Sequence, residues 1–166
     1  SKGLLEYANA ASIVRKKAPH ARFLLFGFPD EHYDSIPENE IKDEWHSKFG
    51  IEYLGFSSNP QESISSASVY VLLSYNEGTP RSVLEAMSMG RAIVTTDVPG
   101  CRETVEVGRN GFLVDVKSPE SAALAMEFLL DEDLRISMGK SSREYCNEKF
   151  NVHQVNKALM DNMEVF

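Results

Sequence analysis

The sequence predicts an α/β protein, a parallel β-sheet covered by helices on both faces. Three observations lead there. Short apolar runs recur along the chain at 22–27, 51–55, 69–74, 92–96 and 111–114. Stretches of helical periodicity separate them, which supplies the crossovers that parallel strands need. The runs are continuously apolar rather than alternating, the pattern of strands buried on both sides.

The elements follow in order. Leu4, Leu5, Ala8 and Ala11 line one side of a helix with a basic last turn, Arg15, Lys16 and Lys17, that stops near Pro19. Residues 22–27 (RFLLFG) read as a buried strand. Residues 28–39 contain two prolines among several acids and read as a loop, followed by a helix over 40–49. A second strand covers 51–55 (IEYLG). A short helix spans 59–66, with Asn59 as N-cap and Pro60 at the first helical position. The third strand is 69–74 (VYVLLS), and a helix over 81–89 ends with Gly90 as its C-cap. Residues 92–96 (AIVTT) form a fourth strand, 100–107 a short helix with Glu103 in its first turn, and 111–114 (GFLV) a fifth strand. Three helices, 119–130, 133–150 and 152–166, close the chain, with Ser118-Pro119 and Asn151 as caps.

The bulk properties set limits. A length of 166 residues fits one ordinary domain, and 42% apolar residues support a core. A net charge of −8 with no basic cluster argues against duplex nucleic acid as a partner and leaves room for a local basic pocket that takes a small phosphorylated ligand. No apolar run approaches the roughly 20 residues that cross a bilayer, and no signal peptide is visible. Cys101 and Cys146 have no paired spacing, so free thiols in a reducing compartment are expected. Because Ser1-Lys2-Gly3 leads directly into a helix without an initiating methionine, the chain is expected to be a domain excised from a longer protein.

Ligands of parallel sheets bind outside the carboxyl ends of the strands. Gly27-Phe28, Leu54-Gly55, residues 76–80 and residues 97–100 all fall at such ends and are expected to meet along one edge. In the third of these, Thr79 is placed to act as N-cap and Pro80 to open the next helix. Unpaired N–H groups from about Arg81 to Leu84 would then attract an anion such as a diphosphate. Gly78 lets the backbone approach a ligand. Glu77 can accept two hydrogen bonds from a sugar diol. Glu85 lies off the apolar stripe Val83, Ala86, Met87 and Gly90, so it can face the crevice and take a ribose diol. Either carboxylate alone has a plainer explanation, a solvated loop acid or a charge stabilising a helix start by roughly 0.3–1 kcal/mol. Their combination around one turn carries the nucleotide-sugar reading.

The remaining polar residues have structural explanations. His20, His32, His46 and His153 are scattered and are expected at the surface, and Trp45 is expected to anchor packing. Residues 131–133 form a solvated junction, Arg102 a surface charge and Glu103 a helix-start stabiliser. No metal-ligand cluster and no nucleophile–base pair is visible in the sequence.

The run NEGTPRSVLEAMSMGRAIVTTDVPGCRE, residues 76–103, resembles the retaining glycosyltransferases of family 4, which have the GT-B fold. It carries that family's Glu-x7-Glu element, the helix after it, and a strand ending near a Pro-Gly turn. Weaker resemblance covers Lys2-Gly3, the LLFG strand and the EYLGF strand. The resemblance implies a Rossmann-like domain, the C-terminal, donor-binding half of GT-B, with its first strand and a partner arginine missing. Residues 1–150 would form the nucleotide-sugar-binding domain, and 151–166 a C-terminal helix packing back toward an N-terminal domain. Glu77 would contact donor sugar hydroxyls. Gly78, Thr79, Pro80, Arg81 and Ser82 would hold sugar and diphosphate at the helix start, and Glu85 the ribose. Lys2 would be the phosphate lysine, sharing the catalytic role with Glu77. The backbone at Tyr53-Leu54 would meet the nucleobase, with Gly27-Phe28 bordering the same pocket.

Gly78-Thr79-Pro80 stands where the family has Gly-Phe-Gly, a variant similar to bacterial capsule and O-antigen transferases. That similarity implies a UDP-sugar donor, hexosyl or N-acetylhexosaminyl transfer, and a glycan or polyprenyl-diphosphate-linked acceptor. It also implies a cytoplasmic protein with peripheral membrane association of the full-length chain, no cofactor, and no metal for the chemistry. Alternatives are a non-catalytic nucleotide- or sugar-binding module and a GT-B sugar-nucleotide epimerase or phosphorylase.

Overall fold

Strands and helices alternate through residues 2–27 and 36–150, the residues described by a computed structural model. The order is α1 (Leu4–Lys17), β1 (Phe23–Phe26), α2 (Glu38–Phe49), β2 (Ile51–Gly55), α3 (Pro60–Ser65), β3 (Val69–Leu72), α4 (Arg81–Ser88) and β4 (Ala92–Thr96). A 3₁₀ turn (Arg102–Thr104), β5 (Gly111–Val114), α5 (Pro119–Phe128) and α6 (Glu132–Lys149) follow. Local chemistry sets several boundaries. Asn59 Oδ1 accepts from Gln61 N–H, Ser118 Oγ from Ser121 N–H, and Asp131 Oδ1 from Leu134 N–H, each satisfying an orphan donor at a helix start. Pro60 and Pro119 occupy early helical positions, where no N–H is needed.

Every strand pair is parallel. β1 pairs with β2 in the register Phe23↔Ile51 and Leu25↔Tyr53. β3 pairs with β4 (Val69↔Ala92), and β4 with β5 (Ile93↔Gly111). Among the described residues β1 and β3 do not pair, so the sheet falls into a two-stranded and a three-stranded part. Two hydrophobic clusters cover the two faces. In β4, Ala92 and Val94 enter one cluster with α1, α2 and α5, while Ile93 enters the other with Val83, Ala86 and Met87 of α4. That alternation within a fully buried strand places helices on both sides, as expected.

The first cluster spans the break. Ala8, Ala11 and Val14 of α1 share it with Phe23 and Ile51 of the smaller sheet and with Leu73, Ala92 and Val94 at the larger one. Small residues on α1 bring its axis close to the strands. Gly3, just before α1, has φ +67°, and a Cβ there would lie 2.1 Å from the Leu73 carbonyl oxygen. Glycine is required, and the contact places Lys2 beside the end of β3.

Several expectations need correction. α2 begins at Glu38, inside the stretch read as loop, with Pro37 as its N-cap. Residues 100–107 are not a helix. The carbonyl of Cys101 accepts from both the N–H and the hydroxyl of Thr104, which closes a single 3₁₀ turn. Val105 then turns extended, at φ −125° and ψ 125°, to bury its side chain. Gly90 takes φ +72° just after the C-cap, which is Met89.

Trp45 is buried in the first cluster, edge-on to Phe49. His20 and His46 are exposed, while His32 and His153 lie outside the described residues, as do Phe28 and the expected helix 152–166. Cys101 is a buried free thiol and Cys146 a half-buried one. Among the described residues no helix is long and apolar enough to cross a membrane.

Candidate functional site

The carboxyl ends of β3 and β4 gather the residues that matter most. Ser74, fully buried just past β3, donates its hydroxyl to Glu77 Oε1 at 2.7 Å. Lys2 Nζ donates to the same oxygen at 2.6 Å, although 75 positions separate the two residues. Burial pushes the Glu77 carboxyl up, but the hydrogen bonds from Lys2 and Ser74 and the lysine's charge outweigh it and hold the group below the usual carboxylate range. The side chain of Glu77 is 15% exposed and that of Lys2 59%. Glu77 is therefore held and charged, while most of the Lys2 side chain is open to solvent.

The loop is tied down on both sides. The Tyr75 hydroxyl donates to Glu6 Oε1 of α1 at 2.6 Å, and that bond, with burial, raises the phenol to about 12. Lys117 Nζ stands 5.3 Å from the Tyr75 ring centre. The Thr96 hydroxyl donates to the Ser74 carbonyl, and Thr95 Oγ1 to the Leu72 carbonyl at 2.7 Å. Side chains of β4 thus hold the end of β3 beyond its own ladder.

The start of α4 differs in one respect from the expectation. Pro80, at ψ 110°, is the N-cap in place of Thr79, and no side chain caps the helix. The Pro80 carbonyl already accepts from Val83 and Leu84 N–H. Among the described residues the Arg81 and Ser82 amides have no protein acceptor and remain available to an anion. Gly78 and Thr79 are exposed, and nothing lies within 4 Å of a Cβ built on Gly78.

Glu85 lies half-buried one turn further along α4 and lines a cleft of about 340 Å³ with Asn59, Pro60, Gln61, Ser88 and Met89. The phenol of Tyr70 links the two carboxylates electrostatically. Burial raises it first, the Ser82 hydroxyl lowers it, and the charges of Glu85 and Glu77 raise it further.

The other sheet edge is put together differently. Gly27 N–H continues the β1–β2 ladder to the Gly55 carbonyl at 3.0 Å. Tyr53 turns its hydroxyl to the Gly27 carbonyl at 3.0 Å and Glu38 Oε1 at 3.2 Å. The Tyr53 hydroxyl is thereby occupied within the protein. Leu54 is exposed. Gly27, Tyr53 and Leu54 do not line the cleft that holds Glu85.

The structure thus brings together Lys2, Glu77, Gly78 and the start of α4, and puts Glu85 beside α3. Ser74, Tyr70 and Gln61 were not singled out in the sequence, and Asn59 was read only as the cap of α3. A serine ending an apolar strand was the available signal for Ser74, and the Asn-Pro cap after β2 for the cleft.

Comparison with known proteins identifies the family and the fold. Residues 1–132 match the family model described as glycosyl transferases group 1. The chain is 32% identical over 144 residues to an N,N'-diacetylbacillosaminyl-diphospho-undecaprenol alpha-1,3-N-acetylgalactosaminyltransferase of Campylobacter jejuni, covering 86% of this chain and 36% of that protein. It is 26% identical over 150 residues to the capsular polysaccharide biosynthesis glycosyltransferase CapM of Staphylococcus aureus, covering 90% of this chain and 39% of that one. The chain therefore spans little more than a third of the length of these relatives.

Among solved structures, S. aureus TarM in a complex containing UDP superposes with a TM-score of 0.81 at 22% identity, over 97% of this chain and 32% of its own. The pneumococcal O-GlcNAc transferase GtfA with UDP and GlcNAc gives 0.79 at 23%, over 98% and 33%. The fold is the Rossmann-like half of GT-B. The chain belongs to the glycosyl transferases group 1 family.

Proposed function

We propose that this glycosyltransferase-family chain is the donor-binding half of a retaining enzyme. It would move a hexosyl or N-acetylhexosaminyl group from a UDP-sugar to a glycan or polyprenyl-diphosphate-linked acceptor in cell-surface polysaccharide synthesis. The observation that carries the reading is the Lys2–Glu77–Ser74 arrangement beside the uncapped start of α4. A fixed carboxylate suits sugar hydroxyls, and free amides next to an exposed ammonium suit a diphosphate.

On donor binding, Lys2 exchanges Glu77 for phosphate oxygen and releases the carboxylate to the sugar. As the sugar–phosphate bond breaks, negative charge grows on the leaving diphosphate. Lys2 and the Arg81 and Ser82 amides are already in place to meet it, which is where fixed dipoles accelerate a reaction. Glu85 takes the ribose diol, and the α3 side of its cleft lies next to the nucleoside. No metal is required in this scheme. An N-terminal domain of the intact protein supplies the acceptor site, and the reaction takes place at the cytoplasmic face of a membrane. UDP-containing complexes of TarM and GtfA and the polyprenyl-linked chemistry named for the Campylobacter relative support this choice of donor and acceptor.

The test is a titration of the intact protein with UDP, GDP and ADP, followed by chemical shift or calorimetry. Selective UDP binding that perturbs residues 77–85 and is weakened by Glu85→Ala is the expected result. Preference for another nucleoside diphosphate changes the donor class. No binding by any of the three overturns the donor-site reading.

A further inference from the structure

The turn after β4 packs against the loop that carries Glu77. Gly100 sits at φ +86°, and a Cβ on it would lie 1.8 Å from the Gly78 carbonyl oxygen and 2.5 Å from that of Glu77. In Gly78 the oxygen lies nearer than its carbon, so that carbonyl points into the turn. A trans peptide sets C=O and the next N–H antiparallel. The Thr79 amide is consequently directed away from the turn, and the Gly78 amide likewise once the Glu77 carbonyl is turned inward. Among the described residues neither amide has a protein acceptor. Successive amides presented this way form a concavity suited to anions.

The turn is itself pinned. Glu103 accepts a hydrogen bond from Gly100 N–H through its carboxylate, and Arg102 pairs with Asp97. The Glu103 carbonyl accepts from Lys149 Nζ at 2.8 Å, at the end of α6. A continuous line of contacts therefore runs from α6 through Glu103 and Gly100 to Gly78 and Glu77.

We infer that Gly100 is a positioning residue that aims the Gly78 and Thr79 amides at the donor's diphosphate, and that Glu103 and Lys149 hold it there. The inference rests on the nucleotide-sugar reading of the Glu77 loop. It separates the diphosphate, which this contact controls, from the nucleoside, held further along at Glu85.

The experiment compares UDP with uridine as ligands of the intact protein by chemical-shift titration. Gly100→Ala is expected to weaken UDP about tenfold or more while uridine stays within about twofold, because a small misplacement of binding groups is costly only where they touch ligand. Gly108→Ala is the control. Gly108 has φ +81° but nothing within 4 Å of a Cβ, so its substitution carries backbone strain without the contact. It is expected to leave the UDP-to-uridine ratio at the wild-type value.

Glu103→Ala should shift the ratio in the same direction as Gly100→Ala, and Glu103→Gln, which keeps an acceptor for the Gly100 amide, should restore it. A folded Gly100→Ala protein with the wild-type ratio, or an equal shift in Gly108→Ala, overturns the inference. If Gly100→Ala does not fold, an unchanged ratio in Glu103→Ala overturns it instead. Wild-type protein that binds no nucleoside diphosphate sinks the donor-site reading itself, and the inference with it. Wild-type binding with unaffected variants sinks only the role of Gly100.

Discussion

The carboxyl ends of the two sheets are built to different standards. Beyond β3 and β4, Glu77 is held by Lys2 and Ser74, Tyr75 by Glu6, and the Ser74 carbonyl by Thr96, while Gly3 and Gly100 press on the backbone from either side. Beyond β1 and β2, one tyrosine hydroxyl ties Gly27 to Glu38, and a Cβ on Gly27 or Gly55 would meet nothing within 4 Å. Where charge has to be matched atom for atom, a site benefits from groups that do not move. Among the described residues the contrast is one of tethering: the larger sheet's edge is fixed by several contacts, and the smaller one's by few.

Adding one methyl to each edge separates the two most clearly. Gly3→Ala forces a left-handed backbone and a Cβ 2.1 Å from the Leu73 oxygen, and is expected to cost about 2–4 kcal/mol in denaturant unfolding. Gly27→Ala meets open space and is expected to stay within about 0.5 kcal/mol of wild type. Equal losses would mean that the two edges are equally constrained.

A smaller effect is expected at Tyr53. Tyr53→Phe removes the hydroxyl shared between the Gly27 carbonyl and Glu38, for about 1 kcal/mol. Thermal unfolding measures it, and a loss as large as that of Gly3→Ala would contradict the description of this edge as loosely tied.

The smallest effect is electrostatic. Glu77 titrates below its unfolded-state value, so its contribution to stability is complete above the ordinary glutamate range and is lost as pH falls through the folded-state value. Lys2→Met should move the Glu77 titration upward in carboxyl-detected NMR and shrink the acid-side stability loss. An unmoved titration would show that Ser74 alone holds the charge.

Much of this was legible in the sequence, and the exceptions have a common cause. Strand positions followed from continuous apolar runs and α1 from helical periodicity, both of which are local. The Asn59 and Ser118 caps followed from side chains reaching three residues or fewer, whereas Asp131, read as part of a solvated junction, caps α6 by accepting from Leu134 N–H. Residues 100–107 misled because Gly100 is set by contact with Gly78, 22 positions earlier, and Val105 by burial, neither of which local propensity encodes. Thr79-Pro80 pointed to a threonine cap, but the extended Pro80 takes that position itself. The two carboxylates were legible as a pair. That Lys2 would share an oxygen with Ser74 on one of them, and that Glu85 would face Asn59, depended on how strands and helices were brought side by side.

The break between β1 and β3 has a consequence for how the molecule comes apart. With no ladder hydrogen bonds across it among the described residues, the two sheets are coupled through side-chain packing of α1, chiefly Ala8, Ala11 and Val14. Packing of this kind transmits opening less completely than a shared ladder does, and cooperative units tend to follow such seams. The smaller sheet can therefore exchange its amides with solvent at a lower free energy while β3, β4 and the Glu77 loop stay closed.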